Sequence, residues 1–264
     1  MNFLGQHFLK NISALRMIAE TLDIRSDDIV IEIGPGHGEL TRVLRTMNSE
    51  VEIIAVEKDL SLAERLKKDL KDNGVEISEG DALTLLPTLI SKLKFRDRNY
   101  KIVGNIPYYI TGHLFRIIGE LDHKPTRSVF TVQNEVALRA CAIPPRMNRL
   151  AASVQFWADI KIVKMLDKND FTPPPKVASA IILLETRPAV TESIAYNAAV
   201  HALFAQPRKT IVNNLLAGTE QERKVLVSGL SGLGITENER PQALDIDHIS
   251  LIAKMFFQNH HLGT

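Results

Sequence analysis

The sequence predicts an α/β fold, a mainly parallel sheet with helices on both faces, followed by a small all-helical domain. Three observations carry this. Apolar, β-branched runs suited to strands recur near residues 29–33, 51–56, 75–78, 100–104, 127–132, 160–166 and 178–184. Helical apolar spacing fills the gaps between the first five runs, the alternation that builds a parallel sheet through crossover helices. Beyond Thr186-Arg187-Pro188 strand-like runs cease, and helical spacing takes over near 191–206, 208–217, 220–233 and 247–259, interrupted by Gln206-Pro207 and a glycine-rich stretch from Gly229 to Gly234. The boundary is therefore expected at 187/188, with domains 1–187 and 188–264. The last two strand runs are joined only by the Asp170–Pro175 loop and predict an antiparallel hairpin with a long connection.

Taken in order, the first element is strand, glycine-rich turn, helix: Asp28-Ile29-Val30-Ile31-Glu32-Ile33, then Gly34-Pro35-Gly36-His37-Gly38, then Glu39 to Leu44. Gly34 and Gly36 let the backbone approach a ligand closely. The spacing is G-x-G-x-G, with Glu39 at the third position of the dinucleotide pattern. A carboxylate at that helix start disfavours a pyrophosphate, so S-adenosylmethionine fits better than NAD. The second strand ends in Glu57, nineteen positions after Gly38, where an acid can accept both hydroxyls of a ribose. The third closes with Gly80-Asp81-Ala82, a carboxylate placed to accept from an adenine amino group.

The fourth strand run, Tyr100 to Gly104, leads into Asn105-Ile106-Pro107-Tyr108. An exocyclic aromatic amine is a poor nucleophile because its lone pair is delocalised into the ring. An enzyme that methylates it must hold the N–H groups so that the nitrogen becomes more pyramidal. The Asn105 side-chain oxygen and a backbone carbonyl of the Ile106-Pro107 turn are suitable acceptors. Pro107 stiffens that turn, and Tyr108 offers a flat face to an unstacked base.

These motifs, together with Leu4-Gly5-Gln6-His7-Phe8-Leu9 and Phe171-Thr172-Pro173-Pro174-Pro175-Lys176-Val177, resemble those of the KsgA family of rRNA adenine N6,N6-dimethyltransferases along nearly the whole chain. The resemblance implies a Rossmann-like, seven-stranded S-adenosylmethionine-dependent methyltransferase domain. It also implies cofactor contacts from His7, Leu9, Gly34, Glu57, Asp81 and Asn105, with Phe171 as the second aromatic wall of the base pocket, opposite Tyr108. The substrate it implies is a pair of neighbouring adenines in a small-subunit rRNA hairpin near the 3′ end, met as rRNA or as a pre-30S subunit, with a role in subunit biogenesis.

A formal net charge of +1 announces no global attraction to nucleic acid. Locally, Lys92, Lys94, Arg96, Arg98 and Lys101 stand against Asp97, and between Lys124 and Lys176 nine basic residues face four acidic ones, which suggests a basic belt around the pocket. The segment Phe204 to Leu215 places Pro207 in the first turn of a helix with Arg208 and Lys209 beside that start, where the dipole does not favour cations. Such placement suggests an anionic partner, and similarity to the family's R-K-T-L-x-N-x-L segment points to RNA. It also separates the chain from the antibiotic-resistance methyltransferases of large-subunit rRNA.

Two stretches depart from the family pattern. Asn134 stands where Lys is usual, and Pro144 to Leu150 replaces a G-S-K-x-Y-G stretch, keeping basic residues, Arg146 and Arg149, for RNA contact. The single cysteine, Cys141, excludes a disulfide framework. The eight histidines, including the terminal pair His260-His261, show no metal-ligand spacing. With no basic-plus-apolar leader and no run of eighteen apolar residues, a soluble, cytoplasmic, monomeric enzyme without membrane partners is expected. Two alternatives remain: the same chemistry on large-subunit rRNA, and a ribosome-assembly or transcription factor with little turnover. The combination of cofactor and base residues argues against the latter.

Overall fold

The computed structural model describes residues 6–70, 74–93, 99–188 and 193–258. Leu4, Gly5, the basic residues Lys94, Arg96 and Arg98 with Asp97, and the His260-His261 pair lie outside the described residues.

In chain order the elements are β1 (Phe8–Leu9), α1 (Ile12–Leu22), β2 (Ile29–Ile33), α2 (Glu39–Met47), β3 (Glu52–Glu57), α3 (Leu60–Asp69), β4 (Val75–Glu79), α4 (Ala82–Leu93), β5 (Tyr100–Asn105), α5 (Thr111–Glu120), β6 (Arg127–Gln133), α6 (Asn134–Ala140), α7 (Arg149–Gln155), β7 (Ala158–Leu166), β8 (Phe171–Thr172), β9 (Ser179–Thr186), α8 (Ser193–Leu203), α9 (Ile211–Gly218), α10 (Arg223–Gly232) and α11 (Ile246–Phe257). Seven strands form one sheet in the order β4-β3-β2-β5-β6-β9-β7. The pairs β2–β3, β2–β5, β3–β4 and β5–β6 are parallel, and β9 runs antiparallel to β6. The expected hairpin partners β7 and β9 are neighbours at the sheet edge. Strands β2 and β5 are buried on both faces, which is why Ile29 to Ile33 and Ile102 to Val103 read as unbroken apolar runs around Glu32.

The order reverses between β2 and β5, and in open sheets of this kind the crevice at the carboxyl ends of such strands takes ligands. Close approach there requires Gly104, because a Cβ at that position would stand 2.5 Å from the Ile33 carbonyl oxygen.

The chain divides into two compact units, and the division differs from the expected boundary. One unit takes residues up to 137 together with 159–186, and the other takes 138–158 together with the residues from 187 onward. The physical reason is non-local. Met147, Ala151, Ala152 and Phe156 pack into the core of the helical unit with Tyr196, Leu203 and Ile252. The rings of Phe156 and Tyr196 stack at 3.7 Å, and the Tyr196 hydroxyl donates to the Ala152 carbonyl at 3.0 Å. Cys141 lies half-buried just past α6.

A short ladder that periodicity cannot reveal joins β1 to β8, antiparallel, with Phe8 opposite Thr172 and Leu9 opposite Phe171. Lys10 N–H donates to the Asp170 carbonyl at 2.8 Å. The Asn11 amide donates to Asp170 Oδ1 at 2.7 Å while its oxygen caps α1 through Ala14 N–H. The segment around His7 is thereby stitched to the Phe171–Pro175 loop, 160 or so residues away in sequence.

Candidate active site

At the carboxyl ends of β2 to β5 lies an open cavity. Its wall includes His7, Gly34, Gly36, Glu57, Asp81, Asn105, Pro107 and Tyr108, all expected from the sequence. The glycine loop makes the floor. Gly34 and Gly36 both hold positive φ, and a Cβ on Gly36 would meet the Phe8 ring at 2.7 Å. The loop is pinned from below by Gly34 N–H donating to the Val56 carbonyl at 2.9 Å. Gly38, also at positive φ, is the N-cap residue of α2, so Glu39 does open that helix.

Glu57 is buried to 3 % exposure at the end of β3. Its Oε2 accepts Gly36 N–H at 3.1 Å and its Oε1 accepts Asp59 N–H at 2.9 Å. Burial raises its pKa, and these backbone hydrogen bonds oppose the rise. A carboxylate offers about four acceptor sites, so each oxygen keeps capacity for a hydroxyl. Asp81 Oδ1 accepts Leu83 N–H at 2.9 Å and its Oδ2 accepts the Lys58 ammonium at 2.8 Å; Lys58 holds the Asp81 carboxyl below the usual carboxylate range.

Asn105, the last residue of β5, donates through Nδ2 to the His7 carbonyl at 2.6 Å. A carbonyl can only accept, so this contact fixes the amide's orientation and turns Oδ1 away from His7. Pro107 has φ −57° and ψ 134°, and its carbonyl accepts Ile110 N–H at 3.1 Å, which opens the single turn Tyr108–Ile110 before α5. A carbonyl oxygen has two lone pairs, so this contact leaves the carbonyls of both Ile106 and Pro107 available as the backbone acceptor. The half-buried Tyr108 hydroxyl lies 2.6 Å from Ser179 Oγ, and burial raises its pKa. Its ring faces that of His7, with centroids 6.0 Å apart and planes at 26°, and His7 Nδ1–H donates to the Pro173 carbonyl at 2.8 Å.

Three expectations, on Phe171, Lys101 and Pro207, are corrected. Phe171 is fully buried among Leu9, Leu15, Ile18 and Ile181, because the β1–β8 register turns it inward; the ring facing Tyr108 is that of His7. The Leu9 side chain is buried, and the residue borders a smaller recess shared with Glu32, Gly34, Glu39 and Asn105. Lys101 contributes nothing to a basic belt, since it lies buried against Asp28 at 2.7 Å at the amino end of β5; Arg127 is engaged by Glu185 at 2.5 Å. Pro207 precedes its helix: α9 begins at Ile211 with Thr210 as N-cap.

In the helical unit Arg146, Arg149, Arg208 and Lys209 are all exposed. Arg149 opens α7 behind the N-cap Asn148. Arg208 and Lys209 ride on a turn held by buried Asn214, whose amide donates to the carbonyls of Gln206, Lys209 and Thr210 at 3.0, 3.3 and 3.1 Å and whose oxygen accepts Gln206 N–H at 3.0 Å. Sequence reasoning missed this latch, as it missed Lys58 and Glu32. Glu32, fully buried on β2, has its pKa raised to about 7, chiefly by burial. The sign of its isolation was visible: one acid in an otherwise apolar strand.

Among the described residues no cluster of potential metal ligands occurs, and no helix is long and apolar enough to cross a membrane.

The family model described as ribosomal RNA adenine dimethylase matches residues 1–257. The chain is 34 % identical over 265 residues to a ribosomal RNA small subunit methyltransferase A from Mycoplasma capricolum, covering 97 % of this chain and 98 % of that one. It is 36 % identical over 261 residues to the protein of the same name from Latilactobacillus sakei, covering 95 % and 87 %. Among solved structures, a dimethyladenosine transferase from Plasmodium falciparum superposes with a TM-score of 0.79 at 23 % identity, over 95 % of this chain and all of that one. The 23S rRNA methyltransferase ErmE superposes with a TM-score of 0.73 at 26 % identity, again over 95 % of this chain and all of that one.

Proposed function

The chain belongs to the ribosomal RNA adenine dimethylase family, and from that premise we propose that it transfers methyl groups from S-adenosylmethionine to N6 of two adjacent adenines in a small-subunit rRNA hairpin, giving N6,N6-dimethyladenosine. The observation that carries this reading is the orientation of Asn105. Its amide nitrogen is spent on the His7 carbonyl, so its oxygen is held as an acceptor on the wall shared with Glu57 and Asp81.

The residues present fit the cofactor. Gly34 and Gly36 provide a floor without side chains, Glu57 has acceptor capacity for two ribose hydroxyls, and Asp81 has it for the adenine amine. When bound, S-adenosylmethionine supplies a methyl group activated by its sulfonium. The protein's part is to present the target nitrogen. Asn105 Oδ1 and a backbone carbonyl of the Ile106-Pro107 turn accept its two hydrogens, which favours the pyramidal geometry of the transition state over the planar ground state. Tyr108 replaces the stacking a base loses when it leaves its helix, worth roughly 1–3 kcal/mol. The exposed Arg146, Arg149, Arg208 and Lys209 provide phosphate contacts on the helical unit. The enzyme works as a cytoplasmic monomer on rRNA in the pre-30S subunit during biogenesis.

ErmE, with its similarity over nearly the whole chain, makes large-subunit rRNA the competing substrate. The test is to incubate the protein with S-adenosylmethionine and either small-subunit RNA, pre-30S particles or large-subunit RNA, and to quantify mono- and dimethyladenosine by mass spectrometry. Dimethyladenosine at two adjacent small-subunit adenines is the expected result. Modification of large-subunit RNA alone selects the competing reading, and binding without product in any substrate selects an assembly factor.

A further inference from the structure

The cavity wall carries a cation that the proposed function does not use. Lys58 is the first residue after β3, adjacent to Glu57, and its ammonium lies 2.8 Å from Asp81 Oδ2 on the wall of the cavity. Resting on the reading that this cavity takes S-adenosylmethionine, we propose that Lys58 and Asp81 act as one reader of the cofactor's adenine, Asp81 accepting from N6 and Lys58 donating to N7.

The donor and acceptor count supports this. Two of the roughly four acceptor sites of the Asp81 carboxylate are filled, one by Leu83 N–H and one by Lys58, so an amine can donate to it without displacing the lysine. The ammonium has three donors and spends one on Asp81, leaving two. The pair therefore presents a donor beside an acceptor, with the two atoms 2.8 Å apart. Adenine offers the complement along one edge, a donor at N6 next to an acceptor at N7, the edge that amide side chains read bidentately in DNA.

Charge argues in the same direction. Both side chains remain partly exposed, at 50 % for Lys58 and 34 % for Asp81, and an ion pair so open to water adds little to folding. A base laid over Asp81 removes water from the carboxylate, and covering a charge without a counter-charge is costly. With Lys58 in place the adenine covers a neutral pair. An apolar residue at this position would leave the carboxylate to be desolvated alone.

Binding of S-adenosylhomocysteine and of its 7-deaza analogue, in which C–H replaces N7, to the wild type and to Lys58→Met, measured by calorimetry, tests the assignment. The wild type is expected to bind the 7-deaza compound about 10-fold more weakly, the size of one charge-assisted hydrogen bond at its weaker end. Lys58→Met is expected to lose affinity for the parent compound and to bind both ligands equally, and Lys58→Arg to recover the discrimination. A wild type indifferent to N7 overturns the proposal, as does a Lys58→Met protein that binds more tightly, which makes Lys58 a competitor for Asp81. Failure of the wild type to bind either compound overturns the cofactor reading itself, whereas equal, tight binding of both leaves that reading standing and removes only Lys58's role.

Discussion

At the amino ends of β2 and β5 a lysine and an aspartate, Lys101 and Asp28, are buried to 7 % and 4 % side-chain exposure and held 2.7 Å apart, with the Lys101 ammonium also donating to the Asp23 carbonyl that closes α1. Beside them Arg127 bridges Glu185, Asp23 and the Thr21 carbonyl. At the carboxyl ends of the same sheet Glu57, Asp81 and Asn105 are also partly or wholly buried, yet each keeps side-chain oxygen capacity on the cavity wall. Lys101 and Asn105 are four positions apart on one strand, about 13 Å at the usual rise. The same residue chemistry closes on itself at one end and stays open to a ligand at the other. What distinguishes the ends is that Asp28 and Lys101 are sealed together from water, whereas Asp81 stays about one-third exposed beside Lys58 and Glu57 meets backbone N–H groups.

The largest effect is expected at the closed end. Lys101→Met removes the ammonium 2.7 Å from buried Asp28, and breaking such a pair from one side costs about 3–5 kcal/mol. Chemical denaturation should show this loss, with the affinity of the remaining folded protein for S-adenosylmethionine unchanged. A loss of less than about 1 kcal/mol would show that the pair is not what stabilises this end.

Glu32 lies between the two regimes, in the middle of β2 and with Oε2 unpaired among the described residues. Its folded-state pKa, about 7, is above the ordinary 4.5, so the folded protein holds this proton more tightly than the unfolded chain. The group's contribution to stability is full below pH 4.5 and declines as pH rises towards 7. Glu32→Gln removes the decline and should be more stable than the wild type at pH 8 by on the order of 3 kcal/mol. Melting temperatures of the two proteins should converge at pH 4.5 and separate by pH 8; a constant gap would contradict the assignment.

The smallest effect concerns recognition. Reversing the charges of Arg208 and Lys209 leaves the Asn214 latch in place, because that latch uses backbone groups. Affinity for small-subunit rRNA should fall about 10-fold at low salt, and the slope of log affinity against log salt should shrink by about 2. An unchanged slope would take these two residues out of the RNA contact.

Much of this was legible in sequence, for identifiable reasons. The strand runs, the glycine turn and the strand-end acids Glu57 and Asp81 are local patterns that a parallel sheet imposes wherever it occurs. Phe171, Lys101 and residues 138–158 were misread because their environments are set by distant chain. The two-residue ladder from β1 to β8 is too short for periodicity, yet it decides that Phe171 enters the core while His7 faces Tyr108. Lys101 reads as one more cation in a basic run until the fold brings Asp28 against it. The Met147–Phe156 segment carries apolar residues that either unit could have accepted, and only packing against α8 and α11 assigns it. Asn214 and Lys58 went unremarked because a latch or a donor–acceptor pair exists only once its partners are in place.

The most direct test pairs the two ends of β5. Turnover on pre-30S particles, affinity for S-adenosylmethionine and unfolding free energy are to be measured for Asn105→Ala and Lys101→Met side by side. Loss of one preorganised acceptor should lower turnover of Asn105→Ala by about 10²–10³-fold, with a much smaller change in cofactor affinity and stability. Lys101→Met should lose stability and keep its turnover per folded molecule. Near-normal turnover in Asn105→Ala, or an equal collapse of turnover and stability in both variants, would contradict the division of the sheet into a closed structural end and an open catalytic one.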